Sequence, residues 1–281
     1  MEPYVMFTEL LDLERIDDWR FIARDAPDKG ERLYGGQLLA QCMRAAALTL
    51  PQNRYVNSLH AYFLRPGNVD EQIDLDVRAV RDGRTFSPRE VIASQAGKER
   101  FRVVMSHQIE ESTPQYQSVS MPDVPPPESV SLTYNEFTIA MMGGDDWHGI
   151  HRPFDIRYIN PPADNQEPVT EAQLMWMRIL PTLGDEAGIH QCGLAYLADS
   201  SLIDHVMLPH GLRWQDPGFV GASLDHSMWF HSPCRADEWL LYIQNVEATG
   251  RGRGLSRGRF LAADGQLVAT CMQEGLMRWT E

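Results

Sequence analysis

The same order of secondary-structure patterns occurs twice along the chain, and this repeat restricts the fold more than any other feature. Each copy begins with a glycine-containing turn that leads into an apolar helical stretch, and antiparallel strand patterns follow. In the first copy the helical stretch covers 36–50, a strand pattern covers 57–67, and an alternating strand covers 73–79. A hairpin pattern over 86–108 closes this copy.

The second copy repeats this order in the C-terminal half. A helix entered near Gly193 is predicted over 190–204, and strands are predicted over 222–233 and 238–248. An Asp-Gly pair at 264–265 between two apolar runs predicts the closing hairpin. A helix followed by antiparallel strands, found twice, predicts a duplicated α+β fold.

The spacing of polar residues agrees between the copies. Ser58 and Gln108 are 50 positions apart, and so are Ser223 and Gln273. The hairpin glycines of the two copies do not align under the same offset, so compensating gaps are compatible with this agreement.

A stretch rich in proline and serine separates the two copies. Its composition is typical of a linker, with three consecutive prolines at 125–127. We predict an N-terminal unit over 1–112, a linker with a short helix over 113–150, and a C-terminal unit over 151–281. Two further strand patterns open the C-terminal unit.

The charge of the chain limits its partners. The sequence of 281 residues has 39 acidic and 25 basic residues, which gives a net charge of −14. Proteins that bind nucleic acid without specificity rely on basic patches, so no nucleic-acid partner is expected. A local basic pocket for an anionic ligand remains compatible with this charge.

The apolar segments indicate a soluble protein. No segment approaches the ~18 uninterrupted apolar residues of a membrane span, and the N-terminus lacks the pattern of a secretory signal. We therefore expect a cytoplasmic protein that does not insert into a membrane. The four cysteines fit neither a C-x-x-C pair nor a zinc spacing, so we expect buried free thiols. They are Cys42, Cys192, Cys234 and Cys271.

Two short motifs resemble sites of serine hydrolases, and both are rejected. The G-x-S-x-G pattern over 254–258 centres on Ser256, but a hairpin pattern follows it where a nucleophile elbow requires a helix. The run Asp225-His226-Ser227 contains the residue types of a catalytic triad. Because neighbours in a strand point to opposite faces, consecutive residues cannot form one.

No metal or cofactor is expected. The histidine pairs His148/His151 and His226/His231 have no third ligand indicated nearby, and isolated pairs are more often ordinary surface or core residues.

Five segments together resemble the acyl-CoA thioesterase II family. They are GGQLLAQ, SLHAYFLRPG, VRDGRTFSPR, LDHSMWFH and QEGLMR, and they follow the family's order from residue 35 to residue 278. The resemblance implies a double hotdog fold, in which each of two fused units wraps an antiparallel sheet around a long central helix. It also implies hydrolysis of acyl-CoA thioesters to free fatty acid and CoA.

Carried over by motif, the family's catalytic residues fall on Asp199, Ser223 and Gln273. The resemblance implies that Asp199 activates a water molecule while Ser223 and Gln273 orient it, so Ser223 is not an acylated nucleophile. By pattern alone, Asp199 could be an ordinary exposed helix residue and Ser223 an edge-strand serine. Gln273 shares its strand phase with apolar residues and could need partners on a partly buried face.

The repeat suggests one catalytic site per chain. Six residues after Gly193 comes Asp199, whereas six residues after Gly36 comes Cys42. On this count the first unit keeps Ser58 and Gln108 but lacks the carboxylate. We therefore place the site in the second unit.

Alternatives from other classes stay open at this stage. One is an enoyl-CoA hydratase or dehydratase on the same fold, and another is a non-catalytic protein that binds acyl-CoA. A homo-oligomer is expected from the family habit and from exposed strand edges. Arginines that could contact CoA phosphates form two groups. They are Arg81, Arg84 and Arg89, and Arg251, Arg253, Arg257 and Arg259.

Overall fold

The α-helices and strands follow one another in the order expected for two copies of one unit. The computed structural model describes residues 6–23, 33–69, 71–142, 152–163 and 165–280. The helices in these residues are α1 (Phe7–Leu10), α2 (Gly35–Ala47), α3 (Tyr134–Met142) and α4 (Ala187–Ala198). The strands are β1 (Glu14–Arg15), β2 (Arg20–Ala23), β3 (Arg54–Phe63), β4 (Ile73–Ala79), β5 (Arg89–Gln95), β6 (Lys98–Ile109), β7 (Phe154–Tyr158), β8 (Gln173–Ile179), β9 (Phe219–Ser223), β10 (Asp225–Phe230), β11 (Leu240–Gly250), β12 (Arg253–Ala262) and β13 (Leu267–Trp279).

All strands join one antiparallel sheet. Its order is β1-β2-β4-β5-β6-β3-β10-β13-β12-β11-β8-β7, and β9 pairs with β13 beside β10. The two copies meet where β3 pairs with β10, from Ser58 opposite Trp229 to Tyr62 opposite Asp225. Corresponding strands lie at mirrored positions on either side of this seam. The arrangement confirms the predicted α+β double hotdog.

The two long helices lie in the core and pack against each other. Most residues of both helices are buried, which is typical of a helix covered on all sides. The predicted helix over 190–204 is wrong at both ends, because α4 begins at Ala187 and stops before Asp199. Gly193 lies in its middle, where a Cβ atom would lie 2.9 Å from that of Ala236, so close packing explains the glycine.

The strand register corrects the predicted correspondence between the copies. The register of β3 on β6 shifts after Val56, which lies opposite His107. The pairing on β13 breaks in the same way after Ser223, which lies opposite Gly275. Met105 lies two positions before His107 in the first copy, and Gln273 lies two positions before Gly275 in the second.

Val56 and Met105 therefore occupy the positions that Ser58 and Gln108 were predicted to occupy. The count from Gly36 to Cys42 is wrong as well. Cys42 lies inside α2, and Leu48 follows that helix where Asp199 follows α4. The corresponding pairs, Val56 with Met105 and Ser223 with Gln273, lie 49 and 50 positions apart, so the equal spacing of 50 joins residues that do not correspond.

Both rejected motifs lack a catalytic arrangement. Ser256 lies inside β12, and a turn with Gly265 at φ +87° leads from it into β13 rather than into a helix. His226 is buried, whereas Asp225 and Ser227 on either side are partly exposed and face the other way. Among the residues described, no hydrogen bond joins these three side chains to one another.

The cysteine prediction holds for three of the four thiols. Cys42, Cys192 and Cys271 are buried and Cys234 is partly buried, and all are free. Burial raises the pKa of each thiol, so they are protonated at neutral pH.

The described part of the linker before α3 contains no strand, has a 3-10 turn over Pro127–Ser129, and is held to the sheet by polar contacts. The carbonyl oxygen of Pro125 accepts a hydrogen bond of 2.8 Å from the indole Nε1–H of Trp176. The predicted short helix is present as α3. The unit boundaries, the homo-oligomer and the cytoplasmic location stay predictions. No helix in the described part of the chain is long and apolar enough to cross a membrane.

Replacing Gly258 in β12 should destabilise the fold, because this glycine leaves room for Tyr242. The Tyr242 ring stacks on Phe260 at 3.9 Å, and its hydroxyl donates a 2.9 Å hydrogen bond to the carbonyl of Ala198. A Cβ atom at Gly258 would overlap that ring and lie 2.7 Å from the sulfur of Cys271. We expect Gly258→Ala to lower the free energy of unfolding by about 1–3 kcal/mol in urea titrations.

Gly184→Ala is the matched control. Apart from its own chain neighbours, no atom of the described residues lies within 4 Å of the position its Cβ atom would occupy, so its effect should stay within about 0.5 kcal/mol. Equal effects of the two substitutions would show that the room around Tyr242 is not limiting.

Candidate active site

Asp199 lies where the two central helices meet. It is the residue that follows α4, and its side chain is only 5% exposed. The N-terminus of α2 approaches this carboxylate, and the backbone N–H of Gly36 donates a hydrogen bond to it. A Cβ atom at Gly35 would lie 2.5 Å from Oδ2 of Asp199. The Gly-Gly pair at the start of α2 therefore allows the backbone to approach the acid closely.

One amide group, that of Gln273, is hydrogen-bonded to both Asp199 and Ser223. Nε2 of Gln273 donates hydrogen bonds of 2.6 Å to Oδ1 of Asp199 and 2.8 Å to Oγ of Ser223. Gln273 lies on β13 and is fully buried, whereas Ser223 ends the neighbouring β9. Three residues from a helix end and two strands thus converge within hydrogen-bond distance.

The environment of Asp199 raises the pKa of its carboxyl group towards neutral pH. Burial raises the pKa of its carboxyl group from 3.8 to about 7. The hydrogen bonds from Gln273 and from the N–H of Gly36 oppose this shift, and the charge of Asp204 adds to it. A carboxyl with a pKa near 7 can both accept and release a proton at neutral pH, which suits a general base.

His226 is a neighbour of Asp199 that sequence reasoning missed. Its ring is fully buried on β10, and Nδ1 lies 4.0 Å from Oδ1 of Asp199. Burial lowers the pKa of His226 to about 4, so the ring is neutral when Asp199 ionises and the contact is not an ion pair. Strand alternation could have indicated that His226 is buried, because it shares its phase with the buried Met228.

A cavity of about 630 Å³ opens beside the carboxylate. Asp199 and Ser223 line it, and its walls are mostly apolar. The apolar lining includes Leu38, Phe63, Phe137, Ile203 and Phe219. The volume is within the range of small-molecule sites, so an apolar chain can lie next to a polar reaction centre.

The arginines that border the cavity are not those nominated from the sequence. Arg65 and Arg213 line it, whereas no member of the two predicted groups, all within the described ranges, does so. Arg89 is buried and its guanidinium lies 2.7 Å from a carboxylate oxygen of Asp82, which is a structural role. Arg257 pairs with Glu247 at 3.0 Å on the outside of β12.

One of the two histidine pairs lies within the described residues. His148 and His151 lie outside the described residues. His231 is hydrogen-bonded through Nε2 to Oγ1 of Thr270 at 3.0 Å. Within the described ranges no group of three or more His, Cys, Asp or Glu side chains could hold a metal ion.

The duplicated hotdog fold, with a buried carboxyl group beside an apolar cavity, defines the class as a hotdog-fold protein with a candidate active site. Residues 22–108 match the acyl-CoA thioesterase N-terminal domain, and residues 120–277 match the acyl-CoA thioesterase C-terminal domain. The chain belongs to the acyl-CoA thioesterase II family and is a thioester hydrolase.

Individual relatives cover almost the whole chain. Acyl-CoA thioesterase 2 of Haemophilus influenzae is 37% identical over 97% of this chain and 96% of its own length. Acyl-coenzyme A thioesterase 8 of Rattus norvegicus is 36% identical over 98% of this chain and 89% of its own. The crystal structure of acyl-CoA thioesterase II TesB2 from Mycobacterium marinum superposes with a TM-score of 0.81 at 32% identity, covering 98% of this chain and 99% of that one.

The buried carboxyl group should reduce stability at neutral pH, and Asp199→Asn should reverse this. Because the pKa is about 7 in the folded chain against an ordinary 3.8, the unfolded chain ionises first. Ionisation therefore lowers the free energy of unfolding as the pH rises through that window, and the cost is complete above it. We expect Asp199→Asn to stabilise the protein above pH 7 by at most about 4 kcal/mol.

The measurement is urea unfolding of both proteins at a series of pH values. The gain should shrink towards zero as the pH falls to about 4. A gain that does not change with pH would contradict the raised pKa.

Proposed function

We propose that the chain hydrolyses acyl-CoA thioesters to free fatty acid and CoA at Asp199, Ser223 and Gln273. The observation that carries this proposal is the Gln273 amide, whose nitrogen is shared between Asp199 and Ser223 at the edge of the cavity. Membership of the thioesterase family supports the reaction, and the shared amide supports these residues as its site.

In the proposed reaction Asp199 removes a proton from a water molecule as the water oxygen attacks the thioester carbonyl carbon. The carbonyl oxygen becomes an oxyanion, and its collapse breaks the carbon–sulfur bond and expels the CoA thiolate. A thiol has a pKa near ~8.5, so the thiolate leaves without a strong general acid. The proton held by Asp199 then returns to the thiolate or to solvent.

Ser223 is proposed to orient the water rather than to be acylated. Its Oγ accepts a hydrogen bond from Gln273, which leaves the hydroxyl proton available to a group in the cavity. Among the described residues, no carboxylate or imidazole is hydrogen-bonded to Oγ, so a serine nucleophile would lack a base. Correct placement of the water lowers the entropic part of the barrier.

The N-terminus of α2 is proposed to stabilise the oxyanion. Its Gly-Gly start lies against Asp199, and the positive end of a helix favours developing negative charge. Gly193 is not proposed for this role because it lies within α4. The exposed Arg65 at the cavity is proposed to contact a phosphate of CoA.

One site per chain is proposed, in the C-terminal unit of residues 151–281. The positions of Asp199, Ser223 and Gln273 correspond to Leu48, Val56 and Met105 in the first copy. None of these three can transfer a proton or hold a water molecule as the polar trio can. The first copy contributes the start of α2 instead.

Substitution of the trio tests the proposed site. We expect Asp199→Asn and Gln273→Ala to lower kcat for a saturated acyl-CoA by about 100-fold or more, because the base or its orientation is lost. Thiol release followed with a thiol reagent gives kcat and KM, and unfolding curves check that each variant is folded.

Gln108→Ala and Ser58→Ala are the matched controls, since the same residue types lie away from the cavity. Both should keep the kcat of the unmodified protein. If Gln108→Ala were as inactive as Gln273→Ala, or if Asp199→Asn kept full activity, the proposed site would be wrong.

The pH dependence of the reaction should follow the ionisation of Asp199. With a carboxyl pKa of about 7, the base is lost by protonation as the pH falls below that value. We expect kcat/KM to fall about tenfold per pH unit on the acidic side and to level off above pH 7. A profile that stays flat down to about pH 5 would exclude a base of this pKa.

A further inference from the structure

One cross-strand row of side chains passes directly through Gln273. Ser256 on β12 pairs with Gln273 on one side. On the other side, the register that pairs Ser227 with Met272 places His226 opposite Gln273. Directly paired residues project to the same face of a sheet, so the three side chains lie next to one another.

His226 and Ser256 are the polar neighbours of Gln273 in this row. Beyond His226 the row continues to Ala61 on β3, and beyond Ser256 it continues to Val246 on β11. His226, Ser256 and Gln273 are all fully buried or nearly so, with exposures of 0%, 1% and 0%. Any hydrogen bond that Oε1 of Gln273 receives across the row must therefore come from His226 or Ser256.

The polar atoms of the row are complementary. Oε1 of Gln273, Oγ of Ser256 and both ring nitrogens of His226 are buried, and among the described residues none of them completes a hydrogen bond of normal length and angle. One of these atoms can only accept, whereas a hydroxyl and a neutral imidazole each carry one donor. A buried carbonyl oxygen left without a donor is unfavourable because it has lost its hydrogen bonds to water, so pairing within the row is strongly favoured.

The orientation of the Gln273 amide decides whether the proposed site can work. With its nitrogen towards Asp199 and Ser223, the amide donates to both. Rotated by half a turn, it would place its carbonyl oxygen against the Asp199 carboxylate, and the two oxygens would repel each other. Something must hold Oε1 on the far side, because the two ends of an amide have almost the same shape.

We propose that His226 and Ser256 are positioning residues that donate hydrogen bonds to Oε1 of Gln273 and so fix its nitrogen on Asp199 and Ser223. The inference rests on the proposed function, since it assigns the support of a residue of that site. It also explains why the two rejected motifs place a histidine and a serine in the core: neither is a nucleophile or a base, and both act through Gln273.

The first copy has a corresponding row of side chains on its paired strands, but it lacks the proposed catalytic residues. Its corresponding row is Leu59, Met105 and Arg89. Met105 replaces the amide, and neither Leu59 nor Met105 can donate a hydrogen bond. The Arg89 guanidinium turns away to Asp82 and Thr49. The donors His226 and Ser256 are therefore present in the second copy, in which the central residue of the row is an amide.

Removal of the two donors tests the proposal in the full-length protein. Ser256→Ala removes one oxygen atom, and His226→Leu removes the imidazole at similar size. We expect each to lower kcat about tenfold with little change in KM, because a displaced amide misplaces the base and the water. Ser256→Thr and His226→Asn keep a donor and should recover most of kcat.

The pH dependence of kcat/KM distinguishes a positioning role from a purely structural one. The hydrogen bond from Gln273 lowers the pKa of Asp199, so loosening it should raise that pKa. The acidic limb of kcat/KM should then shift to higher pH in Ser256→Ala and His226→Leu, as it should in Gln273→Ala. Ser227→Ala is the control, because its hydroxyl lies on the opposite face of β10 near Nδ1 of His60.

The decisive comparison repeats both substitutions in a Gln273→Ala background. If the residues act through Gln273, neither should lower kcat further there. Losses that multiply with that of Gln273→Ala would overturn the proposal, and so would full kcat in Ser256→Ala and His226→Leu alone. Should His226→Leu fail to fold, Ser256→Ala in both backgrounds decides the outcome.

The two proposals fail in different ways. Full activity of Gln273→Ala would remove the proposed catalytic trio and the positioning role with it. A large loss in Gln273→Ala combined with full activity of Ser256→Ala and His226→Leu would leave the trio intact and exclude only the positioning role.

Discussion

The burial of one carboxyl group between two helix ends is the constraint on which this structure depends. Asp199 follows α4, where the helix leaves carbonyl groups that disfavour negative charge, and it faces the start of α2, where free N–H groups favour it. Burial outweighs the favourable contacts and places the pKa near 7. The fold thus holds a partly destabilised carboxyl group that ionises near neutral pH, which is common at functional sites.

The geometry around this carboxyl group requires small residues and a shared sheet. Gly35 lets α2 approach the acid, because a Cβ atom there would lie 2.5 Å from Oδ2 of Asp199, and Gly36 supplies a backbone N–H to it. The seam between β3 and β10 holds the two copies in one sheet, so the helix of one copy can complete the site of the other. Neither copy contains all the parts: the acid belongs to the second and the approaching helix start to the first.

The two copies have the same arrangement of strands but different side chains at corresponding positions. Gln273 corresponds to Met105, Ser223 to Val56 and Ser256 to Arg89. In the second copy a polar row crosses the buried face of the sheet, and in the first copy the equivalent row is mainly apolar. A polar row is stable in a core only if its atoms pair with one another, so changes at these positions are expected to be coupled.

The sequence by itself determined the repeat, the α+β class and the hairpin after Ser256, because these depend on local periodicity and turn residues. The resemblance to a family predicted catalytic roles for Asp199, Ser223 and Gln273, whereas periodicity left each of them open. The correspondence between the copies could not be read from the sequence, because the corresponding pairs differ by one residue in spacing and an equal residue count therefore joins positions that do not correspond. Only the tertiary structure decided that His226 lies beside Asp199 and that Ser256 lies opposite Gln273, since cross-strand register and helix contacts join residues far apart in the chain.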